Sequence, residues 1–188
     1  MSSESKKRNT GLRNAAKEWI KSIGIAFISS IIITTYLFTS VEVKGNSMLP
    51  TLAEGDRLIL KKYEVLLKTE EYKRGDIIIF ESPMENDDDF LVKRVIGLPG
   101  DRINILNGEL YINDESIEEP YIEKDTFTES LLYGDNYTVS ENQLFVMGDN
   151  RRPGKSNDSR SFGGISFEEV HGKIVLRLLP LNKLDTDL

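Results

Sequence analysis

The chain has no cysteine and a single histidine, His171, among its 188 residues. The first absence excludes disulfides and thiolate metal sites. The second rules against a multi-histidine metal centre and against a Ser-His-Asp triad. His171 lies in Glu168-Glu169-Val170-His171-Gly172, a turn-like stretch far from the other candidates, and reads as a surface residue. No internal repeat or low-complexity segment is present, which removes repeat architectures. Basic charge is also missing from most of the chain. Residues 1–21 carry a net +4, so the remainder carries −11 of the total −7. An acidic globular part excludes nucleic acid as a partner, because phosphates need a basic footprint.

What is present begins with an uncharged run. Ser22 to Val41 is twenty residues long and rich in isoleucine. A helix of that length spans about 30 Å, the hydrocarbon thickness of a bilayer. Trp19 and Tyr36 stand near its ends, where amphipathic rings prefer to lie. A cleaved secretory signal would have a shorter apolar core and a small-x-small site after it. The run therefore predicts a signal anchor. The expected division is a basic cytoplasmic segment (1–21), a transmembrane anchor (22–41) and a domain on the outer face (42–188). The charge asymmetry predicts an N-inside orientation.

Beyond the anchor, short β-rich runs recur at 57–60, 76–80, 90–96, 102–106, 109–112, 143–147 and 173–176. Asn107-Gly108 predicts a two-residue hairpin, and Pro99-Gly100 suits a type II turn. Strands this short and evenly spaced predict a mostly β domain without βαβ units. The acidic stretch 117–137 reads as an inserted flap or cap, within an inserted hairpin and cap at about 102–142. Glu85-Asn86-Asp87-Asp88-Asp89 lacks the glycine and distal glutamate of a calcium loop and reads as a solvated hairpin tip. Leu178-Leu179-Pro180-Leu181 reads as a strand end.

Two residues carry candidate chemistry. Ser47 sits six residues past the uncharged run, in Gly45-Asn46-Ser47-Met48-Leu49-Pro50-Thr51-Leu52, so an extended chain keeps it within about 20 Å of the bilayer. Lys93 is the amine in Phe90-Leu91-Val92-Lys93-Arg94-Val95-Ile96, and alternation places it on a face with Leu91 and Val95. Burial there disfavours the ammonium, and a neutral amine can take a proton from a serine. Taken alone, each residue has an ordinary reading. Lys93 could snorkel from an edge strand, and Ser47 could be a turn residue.

Five stretches in order change that balance. Gly45 to Leu52, Gly55 to Lys61, Arg74 to Ile78, Lys93 to Asp101, and Met147 to Arg151 with Asn157 to Arg160 closely resemble the type I (leader) signal peptidases, particularly the short single-anchor bacterial kind. The resemblance implies a signal-peptidase/SOS-repressor-like β fold behind one N-terminal transmembrane helix. It also implies an endopeptidase that cuts signal peptides from preproteins after small-x-small motifs, near the export translocon on the outer face of the bacterial cytoplasmic membrane. No metal or cofactor is implied.

By the same resemblance, Ser47 is the nucleophile and Lys93 the general base. The Ser47 N–H supports the oxyanion, and Gly45 stands where some relatives add a serine hydroxyl. Asp158 and Arg160 match a structural ion pair, Asp149 and Arg94 a further carboxylate and its partner. The ordinary reading of all four is a solvated loop ion pair. Ser156, with Gly148 as a weaker candidate, matches a group that orients the amine, although the loop 152–157 is two residues longer than the usual spacing. Val43, Gly45, Met48, Leu52, Leu91 and Val92 would contact substrate. Val43, Leu52, Leu91 and Val92 would line small apolar pockets for the first and third positions before the cut.

Two other functions compete. Self-cleaving SOS-type repressors share the β fold and the Ser-Lys pair, but they carry a DNA-binding domain and an internal cleavage site where this chain carries the uncharged run. A catalytically silent, membrane-tethered module binding signal peptides or a partner is the second. Such a module has no need of Ser47 or Lys93, and this chain has both.

Overall fold

The computed structural model describes residues 3–33, 37–62, 71–84 and 90–180. The chain divides into two compact units, Met1–Phe38 and Thr39–Leu188. The first holds helix α1 (Ser3–Ile32). Among the described residues no helix is long and apolar enough to cross a membrane. Residues 34–36, inside the expected anchor and including Tyr36, lie outside them, as do the acidic tip 85–89 and Leu181. The helix ends earlier than the uncharged run does. Phe38–Glu42 instead forms β1, an edge strand beside β2. Its Phe-Thr-Ser-Val sequence combines β-branched and aromatic residues, which favour a pleated strand over a helix.

The remaining strands are β2 (Arg57–Lys61), β3 (Ile77–Glu81), β4 (Phe90–Gly97), β5 (Arg102–Leu106), β6 (Glu109–Ile112), β7 (Glu115–Ser116), β8 (Tyr137–Thr138), β9 (Gln143–Met147), β10 (Ile165–Ser166) and β11 (Val170–Leu179). A four-residue helix α2 (Ser159–Phe162) follows β9. The sheets run β1-β2-β11-β3-β4-β9-β10 and β7-β6-β5-β8. The fold is mostly β, as the strand pattern predicts, and the ladders among β2 to β11 are antiparallel.

Strand β3 explains why the larger sheet stays together. Ile77 and Ile79 pack with Val43, Met48, Leu52, Leu58, Leu60 and Ile174. Ile78 and Phe80 point the other way, to Val95, Leu144, Val146, Ile165 and Val170. A strand buried on both faces must read as a continuous apolar run, and Ile-Ile-Ile-Phe does. Each fully buried side chain of this size contributes about 1.5–3 kcal/mol.

The turns follow their chemistry. Asn107 and Gly108 both have positive φ, 53° and 87°, and join β5 to β6 in the expected hairpin. Gly100 has φ 83°, and the Asp101 N–H donates to the Leu98 carbonyl at 3.0 Å, closing the Pro99-Gly100 turn.

The stretch 102–138 is more than a hairpin and flap. Its strands form the second sheet, and Ile103, Ile105, Leu110 and Ile112 pack on Ile96, Phe145 and Met147 of the first. The acidic part between β7 and β8 is irregular, yet Thr128 is buried and Ile117 and Tyr121 pack on that same cluster. The stretch 117–137 is therefore partly core.

Candidate active site

Ser47 opens a run of turn that extends to Thr51. Gly45 precedes it with φ 77°, a backbone region that other residues enter at a cost. Met48 and Leu52, both almost fully buried, plug the loop into the apolar cluster under β2 and β3. The Asn150 N–H donates to the Ser47 carbonyl and the Asn150 side-chain amide to the Asn46 carbonyl, each at 2.9 Å. Apolar plugs below and amide bonds from the segment after β9 leave Ser47 little freedom.

Lys93 lies within β4, between β3 and β9 in the sheet. At Lys93 the strand is paired with Ile78 of β3, the ladder to β9 beginning only at Arg94, yet the side chain does not snorkel to solvent: only 2% of it is exposed. Its Nζ is 2.9 Å from Ser47 Oγ and 3.0 Å from the Val92 carbonyl oxygen. Burial lowers its pKa from 10.5 to about 8, while the carboxylates of Asp158 and then Asp149 act in the opposite direction. With a neutral amine, one N–H donates to Val92 and the lone pair is available to the Ser47 hydroxyl proton.

Asp158 anchors the neighbourhood. It is completely buried and caps α2. Its Oδ2 accepts from Gly148 N–H at 3.0 Å, Ser156 Oγ at 2.6 Å and Arg160 Nη2 at 2.8 Å; Oδ1 accepts from Arg160 Nε at 2.8 Å. These donors hold its pKa below the usual carboxylate value despite desolvation, the largest single influence, which pushes upward. Arg94 and Asp149 form a second buried pair, with bonds of 2.9 and 2.7 Å. Burial of both pairs overturns the solvated-loop reading of Asp158, Arg160, Asp149 and Arg94. Ser156 is delivered to this site by the longer loop, but its hydroxyl donates to Asp158, while the Lys93 amine is held by Ser47 and Val92.

Gly148 is explained by space. A Cβ there would lie 2.3 Å from Ser156 Oγ and 2.4 Å from the Ser47 carbonyl oxygen. Gly148→Ala must push the Ser47 backbone aside. The melting temperature should then fall by a few degrees, which thermal unfolding checks.

A third buried ion pair is not evident from sequence. Arg151 donates to the Gly148 carbonyl at 2.7 Å and pairs with Glu119, which comes from the irregular acidic stretch. Arg94 stacks over Tyr121 of the same stretch at 4.1 Å. Arg151 belongs to the Met147–Arg151 motif, but nothing in the order of residues points from it to Glu119.

Ser47 and Lys93 open on a cleft of about 640 Å³ that also touches Val41, Val43, Met48, Leu60, Ile79, Leu91 and Val92. Strand β1 and the first half of β4 line the same cleft, although three strands separate them in the sheet, so the sheet curls around it. Leu91 and Val92 behave as alternation predicts, packing on opposite clusters. Leu52 and Gly45 are corrections. Leu52 is fully buried beneath the Ser47 loop, Gly45 is exposed, and neither lines the cleft. His171 is also misplaced by sequence distance. It is the second residue of β11, lines the cleft, stacks edge-on against Phe90 at 4.7 Å, and its Nε2 lies 3.1 Å from Glu81 Oε1.

A serine hydroxyl against a buried amine, at the wall of an apolar cleft in a β scaffold, is the arrangement of a serine peptidase that uses lysine as base. Residues 16–179 match the family described as "Signal peptidase, peptidase S26", and the chain belongs to that family. It is 37% identical to a signal peptidase I from Bacillus licheniformis over 94% of this chain and 96% of the relative. It is 33% identical to signal peptidase IB of Staphylococcus aureus (strain COL), over 88% of this chain and 91% of the relative. A crystal structure of a signal peptidase I from Enterococcus faecalis V583 aligns with 35% identity and a TM-score of 0.46, covering 55% of this chain and 97% of that one. The activity is that of signal peptidase I, a serine endopeptidase that cleaves signal peptides from preproteins.

Proposed function

We propose that Ser47 and Lys93 form the catalytic dyad of this peptidase. The observation that carries the reading is the 2.9 Å contact between Ser47 Oγ and an amine that burial brings close to neutrality. Lys93 Nζ takes the hydroxyl proton as Oγ attacks the scissile carbonyl carbon. The Ser47 N–H steadies the developing oxyanion. The ammonium returns its proton to the leaving amine, and the resulting ester is cut by water that Lys93 deprotonates in turn. Asp158, Arg160, Asp149, Arg94, Ser156 and Gly148 shape this site without exchanging protons with substrate. The preprotein lies extended in the cleft, with small residues at the first and third positions before the cut near Val43, Met48, Leu91 and Val92.

The anchor reading rests on the sequence together with helix α1. Trp19, Ile20, Ile23, Ile25, Phe27 and Ile28 are all more than half exposed, an apolar surface suited to lipid. The chain is held in the bacterial cytoplasmic membrane with its N-terminus inside, and the peptidase domain works on the outer face near the translocon.

Ser47→Ala should abolish cleavage of a preprotein in detergent without unfolding the protein. Lys93→Arg should fail equally, since a guanidinium stays protonated. For the parent enzyme, kcat/KM should rise about tenfold from pH 7 to pH 9 as Lys93 loses its proton around 8. A profile flat across that interval would remove Lys93 as the base.

A further inference from the structure

The cleft is longer than two alanine-sized pockets require. Past Val92 it continues to Phe90 and His171, which the dyad and the small-residue pockets leave without a role. Three adjacent strands build this far end. Phe90 of β4 is paired with Glu81 of β3, as Val92 is with Ile79, so Phe90, Val92, Ile79 and Glu81 share one face. On β11 a register shift between Val170 and Gly172 interrupts the ladder to β3. Such a bulge re-aims a side chain, and His171 at that point reaches Glu81 at 3.1 Å and the Phe90 ring at 4.7 Å. The His171–Glu81 contact holds the imidazole edge against Phe90, whose ring remains 56% exposed at the cleft wall.

The sheet limits where along β4 a bound peptide can pair. From Arg94 onward β4 is paired with β9, and that ladder does not extend back to Phe90–Lys93. A strand-like substrate reaching Lys93 therefore runs along the first half of β4. Phe90 lies two residues, about 6.6 Å, before Val92, and one step of an extended peptide's alternate side chains spans about the same distance. For a peptide parallel to β4 with its third residue before the cut over Val92, the fifth sits over Phe90.

We propose that Phe90, braced by His171 and Glu81, forms a subsite that selects a large apolar or aromatic side chain at the fifth position before the cut. The assignment rests on the dyad and its extended substrate. Phe90 supplies the apolar contact, His171 holds the ring, and the Glu81 carboxylate makes an acidic side chain unwelcome at the same place.

The test uses the full chain in detergent micelles and peptides with alanine at the first and third positions before the cut. The fifth position is varied through Gly, Asp, Leu and Phe, with a parallel series varied at the seventh. For the parent enzyme, kcat/KM for Leu and Phe should exceed that for Gly by about tenfold, with Asp lowest, and the seventh-position series should be flat. In Phe90→Ala the Leu-to-Gly ratio should collapse towards one, and His171→Ala should reduce it partway. Cleavage without dependence on the fifth position overturns the subsite and leaves the dyad standing. So does a dependence that survives Phe90→Ala. Failure to cut any peptide overturns the peptidase reading itself. The parent series decides the matter even if Phe90→Ala does not fold.

Discussion

Lys93→Met is expected to yield a protein that cuts nothing and unfolds less readily than its parent. The loss of activity follows from the role proposed for the amine. Without a base beside Ser47 Oγ, the hydroxyl keeps its proton, and kcat/KM should drop by at least about 10³-fold. The gain in stability follows from the cost of keeping an ammonium in an apolar setting. The Lys93 pKa falls from 10.5 to about 8 on folding. Below pH 8 both states are protonated, and the fold carries the whole penalty, about 3 kcal/mol. As pH rises from 8 towards 10.5 the folded state sheds its proton first, and the penalty fades.

Methionine fills a similar volume with no charge. It forfeits the contacts to Ser47 Oγ and the Val92 carbonyl, each worth about 1 kcal/mol. The net gain near pH 7 is then about 1–2 kcal/mol, and it should shrink or reverse by pH 10. Urea unfolding of both proteins at the two pH values measures this directly. Equal stability at pH 7 and pH 10 would mean that the amine is not charged at a cost in the folded state. The site would then lack the strain that a lysine base requires.

How much of this was legible in the sequence depends on whether a residue's role is local. Strand β3 announces itself as four apolar residues, and Asn107-Gly108 carries its hairpin in its own backbone preferences. Lys93 is also a local matter, because alternation alone puts it beside Leu91 and Val95. Strand β1 was hidden because Phe38–Glu42 continues the uncharged run, and composition does not mark the point where helix gives way to sheet. Glu119 and His171 were hidden for another reason. Glu119 meets Arg151 across 32 residues and His171 meets Glu81 across 90, through folds of the chain that no spacing rule encodes. Leu52 shows the reverse error. Motif position placed it at the substrate, but its side chain points under the Ser47 loop and into the core.

Asp158→Asn should be the most damaging of the supporting substitutions, for stability before catalysis. Asp158 and Arg160 are both essentially buried, and the two carboxylate oxygens serve Gly148, Ser156 and the Nε and Nη2 of the guanidinium. An asparagine keeps one acceptor oxygen, turns the other position into a donor, and leaves a buried guanidinium without its counter-charge. Breaking such a pair from one side costs about 3–5 kcal/mol. The second change, Arg160→Leu on the Asp158→Asn background, should recover part of that loss, since no unpaired charge then remains. Arg160→Leu alone should be worse than the double variant. Whatever activity survives in Asp158→Asn should also shift in pH. The Asp158 carboxylate favours the Lys93 ammonium, so its removal lowers the lysine pKa further and moves the rise in kcat/KM below pH 8. A residue that merely held the loop would lower the rate without moving that midpoint. An unmoved midpoint in Asp158→Asn, measured beside the urea curve, would confine Asp158 to architecture.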